Sequence, residues 1–201
     1  MKKDLIIIGA GGHGEVCKEI AKQMKTWRTI FFLDDQYPTK KVSKSNIKII
    51  GQTKDYLKYI NDYELFVAIG ANDVRKSIIE DIVTNKGTLV KLIDPKTSIQ
   101  DNVVIEDGTV IMPQVAINTG TTIKRGCIIN TGAVVDHDCE VLCYSHISPG
   151  ATLCGTVRCG ELSWVGAGAT VINNISITDR VIIGAGTTVR KDINKKDSIF
   201  Y

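Results

Sequence analysis

From Ile93 to Val189 an aliphatic residue recurs at every sixth position, with Cys159 the single exception and no insertion to shift the phase. A period of six fits neither the 3.6 of an α-helix nor the simple alternation of a half-buried strand. It is the mark of a parallel β-helix solenoid, in which each unit is one short strand and a corner. Three units close a triangular coil, so residues eighteen apart stack one rung above the next, roughly 4.8 Å away. The repeating Ile and Val fill the interior. Any chemistry must therefore lie on the outside of the column or between columns.

The fourth residue after each aliphatic is short in most units, as at Thr97, Thr109, Thr121, Cys127, Ala133, Cys139 and Ser145. That predicts a tight turn with no core volume to fill. Glycines and asparagines near the corners, among them Gly108, Asn118, Gly120, Asn130, Gly155, Gly166 and Gly184, are expected to supply positive φ.

Residues 1–90 carry a different pattern, and 91–201 form the repeat. Lys3–Ile8 reads as a buried parallel strand running into Gly9-Ala10-Gly11-Gly12-His13-Gly14, with helical spacing from Glu15 to Met24. Further strands are expected at Ile30–Leu33, Leu65–Ile69 and Leu89–Ile93, and a second helix at Val74–Val83 capped by Asp73. Strands alternating with helices predict a small parallel α/β sheet, with its ligand site beyond the carboxyl ends of the strands. The glycine loop, Asp34-Asp35 and Gly70-Ala71-Asn72 would converge there. A glycine-rich loop at a helix N-terminus offers free N–H groups to phosphate. The domain is short for a dinucleotide, so a nucleotide-sugar is the expected ligand. Lys40, Lys41, Lys44 and Lys48 read as a solvated run or as a face toward its diphosphate.

The balance of 25 Lys and Arg against 22 Asp and Glu leaves a net charge of +3. That suits an anionic small molecule and points to no nucleic-acid partner. No apolar run reaches membrane-spanning length, and the N-terminal one is short, so neither membrane insertion nor a signal peptide is expected. Six cysteines without a CxxC pair suggest buried thiols of a cytoplasmic protein, with no disulfide and no metal.

His13, His137 and His146 are the three histidines of the chain, and two lie in the repeat. His137 stands two residues past inward Val135, near a corner; His146 precedes inward Ile147 and so points outward. Nine residues is half a coil, so the two occupy different faces of one column. Three columns packed side by side would bring a corner of one against a face of the next, which predicts a homotrimer with sites between subunits. A histidine suits general-base chemistry near neutral pH, and Asp136 or Asp138 would raise its basicity.

The hexapeptide ladder, His137-Asp138, and a preceding α/β domain with GAGGHG together resemble the left-handed β-helix acetyltransferases that modify nucleotide-linked amino sugars. The likeness is strongest to members acting on UDP-4-amino sugars in bacillosamine biosynthesis. It extends over segments such as IIIGAGGHGEVCKEIAK, FVAIGANDVRKSI, INTGAVVDHDC and SHISPGATLCG. The resemblance implies a Rossmann-like N-terminal parallel sheet, a left-handed parallel β-helix, and transfer of acetyl from acetyl-CoA to a sugar 4-amine. His137 is then the general base and Asp138 the acid that raises its basicity, standing where the family commonly has Glu. Asn130 becomes an active-site amide. His146 would contact the thioester carbonyl, and Gly155, Ala167 and Ala185 the pantetheine arm. Gly11, Gly12, His13, Asp34, Asp35 and Gly70 fall at the UDP-sugar site. Family members usually continue into a Gly-x-Pro-Ala segment, whereas this sequence stops at Ser198-Ile199-Phe200-Tyr201. That difference bears on the adenine end of the CoA groove.

Other readings predict different behaviour. An O-acetyltransferase acting on sialic acid, or an N-acetyltransferase using a dTDP- or GDP-linked amino sugar, would use the same base. A non-catalytic nucleotide-sugar scaffold would not depend on His137. A β-helix carbonic anhydrase needs three metal-binding histidines on the column, where only two stand.

Overall fold

The computed structural model describes residues 3–201, which divide into two compact units, residues 3–92 and 93–201. In the first, β1 (Leu5–Ile8), β2 (Ile30–Leu33), β3 (Glu64–Val67) and β4 (Thr88–Leu89) form a parallel sheet in the order β2-β1-β3-β4. Leu5, Ile6, Ile7 and Ile8 are all fully buried, as expected of a central parallel strand flanked on both faces. Helices α1 (Gly12–Met24) and α2 (Asn72–Thr84) follow β1 and β3. The chain leaves β1 toward one side of the sheet and β3 toward the other. The crevice between their carboxyl ends is thus the topological switch point. The second helix begins earlier than its apolar spacing predicts. Its N-cap is Ala71 with no side-chain capping bond, and Asp73 sits inside the first turn. There Asp73 complements the helix dipole instead of capping.

The second unit is the left-handed parallel β-helix. Strands of two residues stack at an offset of eighteen: Ile128 on His146, His146 on Trp164, Val134 on Thr152, Glu140 on Arg158. The three ladders form the faces of a triangular column. One carries His146, Trp164 and Ile182 outward, a second Val134, Thr152 and Thr170, and a third Thr122, Glu140 and Arg158. They are called here the histidine, threonine and charged faces. The sixfold aliphatic residues are the second residue of each strand, and from Ile111 to Val189 they form one continuous core.

Two expectations about the corners change. The short residues do fill core volume: Thr109, Thr121, Ala133, Ser145, Ala151 and Ser163 are fully buried at the apices of the triangle. Their hydroxyls also complete the ladder. Thr121 Oγ1 donates to Asp136 O (2.6 Å) and accepts from Cys139 N–H (3.1 Å), joining successive rungs. The positive φ angles, second, lie at one position only, the third residue after each aliphatic from Asn102 to Gly186. Asn118, Asn130, Gly155, Gly166 and Gly184 are not among them. The turn demands that conformation whatever the residue, so Asp138, Tyr144, Thr156, Leu162 and Arg180 also adopt it. For a side chain other than Gly, Asn or Asp this costs on the order of 1–2 kcal/mol.

Candidate active site

Three groups of predicted residues can be placed, two on the column and one in the α/β unit. The first is on the edge where the threonine face turns into the charged face. His137 Nδ1 lies 2.9 Å from Asp138 Oδ2, and both side chains are more than half exposed, at 52% and 61%. Asp138 holds φ at +57°, a conformation short acidic and amide side chains tolerate. The Asp138 hydrogen bond, reinforced by the charge of Asp136, raises the His137 pKa above its ordinary 6.5. Asp136 is itself anchored: Asn118 Nδ2 donates to it at 2.6 Å and His137 N–H at 2.8 Å. These bonds, the first the larger, keep its carboxyl below the usual carboxylate range.

Two glycines make room for this pair. Gly155 lies eighteen residues after His137, one rung on, and a methyl there would stand 2.5 Å from His137 Nε2. Gly120 lies eighteen before Asp138, and a methyl there would stand 2.3 Å from its Oδ1. With Nδ1–H directed at the carboxylate, Nε2 is the nitrogen free to take a proton, and Gly155 leaves its surroundings open.

The second group lies along the next edge, between the histidine and threonine faces. Asn130 Nδ2 is 3.1 Å from His146 Nε2. The His146 ring stacks on Trp164 at 5.2 Å with 17° between planes. Trp164 Nε1 donates to Ser148 Oγ at 2.7 Å. Ala167 and Ala185 continue this edge as exposed corner residues. Gly155, grouped with them by resemblance, instead belongs with His137. Likewise Asn130 pairs with His146 and not with the His137-Asp138 dyad. On a single column, then, the predicted catalytic residues divide between the two edges that bound the threonine face. Trp164 and Ser148 escaped the sequence analysis, although the eighteen-residue offset puts them directly above His146 and Asn130.

In the α/β unit, Gly11, Gly12 and His13 open α1, Asp34 and Asp35 follow β2, and Gly70 follows β3. Gly9 carries φ +103° beneath the loop, and a methyl there would meet Ala68 O at 2.8 Å. Beside Gly11, Gly12 and Gly70 the space is open, so a ligand can approach bare backbone at the helix N-terminus. Asp34 Oδ2 accepts Ala10 N–H at 2.8 Å, and Asp35 Oδ1 accepts Thr53 N–H at 3.0 Å. Both carboxylates therefore also hold the loops that shape the crevice. Burial, with a smaller contribution from the Arg75 guanidinium, pushes the His13 pKa down to about 4. Arg75 is buried at the start of α2 and donates to Ile69 O, Gly70 O and Asn72 Oδ1. It fixes the turn that carries Gly70, a role no motif announced. Lys41, Lys44 and Lys48 are exposed. Among the described residues no cluster of His, Cys, Asp and Glu is arranged to hold a metal ion. No helix among them is long and apolar enough to cross a membrane.

Comparison with known proteins fits this combination. Residues 4–82 match the PglD N-terminal domain family. The acetyltransferase domain of PglB from Neisseria gonorrhoeae FA1090 is 35% identical, with 98% of this chain and 95% of that chain covered and a TM-score of 0.93. A second structure of that domain holds acetyl coenzyme A. PerB from Caulobacter crescentus, solved with CoA and GDP-perosamine, is 31% identical over 96% of this chain and 91% of its own, with a TM-score of 0.88. The UDP-N-acetylbacillosamine N-acetyltransferase of Bacillus subtilis (strain 168) is 38% identical over 111 residues, 54% of this chain; the match spans about half (50%) of that protein's length. An α/β unit joined to a left-handed β-helix of hexapeptide repeats, with such likeness over nearly the whole length of both chains, defines an acyltransferase of the hexapeptide type. The chain belongs to the hexapeptide-repeat nucleotide-sugar acetyltransferases.

Proposed function

We propose that this protein transfers the acetyl group of acetyl-CoA to the 4-amine of a UDP-linked 4-amino-4,6-dideoxy sugar. The observation that carries this reading is the exposed His137-Asp138 pair with Nε2 left clear above Gly155. The neutral sugar amine attacks the thioester carbon, and His137 Nε2 takes its proton as the C–N bond forms. The tetrahedral intermediate then expels the sulfur, which takes the proton back from the His137 imidazolium and leaves as CoA thiol. Asp138 holds the ring and stabilises the imidazolium formed in the process. Gly11, Gly12, His13, Asp34, Asp35 and Gly70 bind the nucleotide-sugar, and Ala167 and Ala185 border the pantetheine arm. The domains are thus residues 1–90 for the nucleotide-sugar and 91–201 for acyl transfer, acting in the cytoplasm.

The division of these residues between two edges of one column supports a homotrimer. In it one subunit presents His137 and its neighbour presents Asn130 and His146. Light scattering should give the mass of three chains. Activity should rise well above that of either variant when impaired His137→Ala and Asn130→Ala subunits are mixed and allowed to exchange.

The UDP carrier is supported by the bacillosamine enzyme among the relatives, while the perosamine complex supports GDP as the second reading. Amino sugars on UDP, dTDP and GDP, with a sialic acid as hydroxyl acceptor, assayed by CoA release, separate these. Preference for anything but a UDP-4-amino sugar overturns the substrate assignment. His137→Ala should lower kcat by about 10²–10⁴-fold. Retained activity would eliminate the general-base role of His137, and a protein that releases no CoA with any of these acceptors would be a nucleotide-sugar-binding scaffold.

A further inference from the structure

The amide of Asn130 can be oriented without ambiguity. Its Oδ1 lies 2.8 Å from Thr131 N, and a backbone N–H only donates, so that atom is the carbonyl oxygen. Nδ2 therefore faces His146 Nε2 at 3.1 Å. An amide nitrogen only donates, so Nε2 is the acceptor, and in the neutral ring the proton rests on Nδ1. Nδ1 is itself buried. The ring cannot turn freely to offer a different edge: Trp164 covers its face, and the bond from Trp164 Nε1 to Ser148 Oγ pins the indole in turn. The imidazole thus presents no N–H outward. Asn130, half-buried at the corner, keeps one amide hydrogen beyond the one given to His146.

From this arrangement we infer that Asn130 supplies the side-chain hydrogen bond to the thioester carbonyl oxygen, and that His146, fixed as its Nδ1–H tautomer by Asn130, Trp164 and Ser148, is a positioning residue. The donor role rests on the acetyl-transfer reading above; the tautomer does not. As the amine attacks, negative charge gathers on the carbonyl oxygen, and a preorganised amide hydrogen stabilises it without reorganisation. The roles that the family resemblance gives these two residues are thereby exchanged.

The test has one arm that needs no activity. Nitrogen-15 spectra of the histidine-labelled protein should show His146 Nδ1 protonated and Nε2 unprotonated. A protonated Nε2 in the neutral ring overturns the inference. In Asn130→Asp, which keeps an acceptor for Thr131 N–H, the proton should move to Nε2. Trp164→Phe should preserve the tautomer, while Trp164→Ala should give a mixture; an unchanged spectrum in Trp164→Ala removes the indole from the assignment. In the kinetic arm, Asn130→Ala should lower kcat by about 10²–10³-fold, as for loss of one oxyanion donor, with the KM for acetyl-CoA nearly unchanged. His146→Ala should cost less than that. The reverse order returns the donor role to His146. If the unsubstituted protein turns over no nucleotide-sugar, the acetyl-transfer reading has failed, and the tautomer stands or falls by its spectrum alone.

Discussion

The two side chains of the dyad depend on what is missing from the rungs beside them. Any group larger than hydrogen at 155 occupies the space of His137 Nε2. Gly155→Ala is therefore expected to lower kcat by about tenfold or more, by displacing the ring from its attack geometry, while the melting temperature holds. Asp138 sets the pH response. Its bond raises the His137 pKa, and the base of the proposed mechanism works only when neutral. The acid limb of kcat/KM should accordingly lie above pH 6.5, with activity rising as pH rises through it. Asp138→Asn tolerates the same positive φ but loses the charge, so the limb should move to lower pH and the plateau should fall; a limb that stays in place would mean another group titrates. At this scale the sequence marked candidate residues and said little about which of them touch. His137 and Asp138 are adjacent, so their pairing was legible. Asn130 with His146, and Gly155 with His137, are sixteen and eighteen residues apart. Those pairings follow only once the coil length is applied to every residue and not to the aliphatic ones alone.

At the scale of the element, the column was legible because its period is enforced by an interior one residue wide. Each aliphatic side chain has a single place to go, and a slip of one position would turn it outward. The corners were less legible because two demands overlap there. Small residues at the fourth position suggested a turn, but their smallness answers to the narrow apex of the core. The turn itself is made at the third position, where Gly and Asn predominate but Gln114, Tyr144, Thr156, Leu162 and Arg180 share the same φ, so composition marks it only in part. The buried hydroxyls give a test. Thr121→Val keeps the shape but leaves Asp136 O and Cys139 N–H without their partner. It should cost about 1–3 kcal/mol in denaturant unfolding, and should also lower activity, because Asp136 begins the corner that carries His137. In the α/β unit, strands and helices were placed within a few residues. Asp73 was misassigned as a cap because an acidic residue suits both the cap and the first turn, and here the backbone starts its helix two residues sooner.

For the molecule as a whole, two separate cores imply two separate responses to acid. His13 is charged in the unfolded chain below about pH 6.5 and neutral in the folded one down to about pH 4. Between those values the unfolded state binds the extra proton, so stability falls as pH falls; the effect is on the order of 3 kcal/mol when complete. Unfolding of the α/β unit should therefore be acid-sensitive in this window, and His13→Gln should abolish most of that sensitivity. Equal acid sensitivity in the variant would place the titration elsewhere. The column obeys a different constraint, one of arithmetic. From Ile93 to Val189 its ladders are in register at an offset of eighteen residues, and the dyad with its two glycines occupies three neighbouring rungs between Gly120 and Gly155. A length change of one residue anywhere in the repeat would turn buried side chains out and outer ones in. Adding or removing one entire coil beyond those rungs would leave the His137-Asp138 corner untouched. Such a shaft can be lengthened or shortened only in whole steps, and its ends are free to vary while its working middle stays fixed.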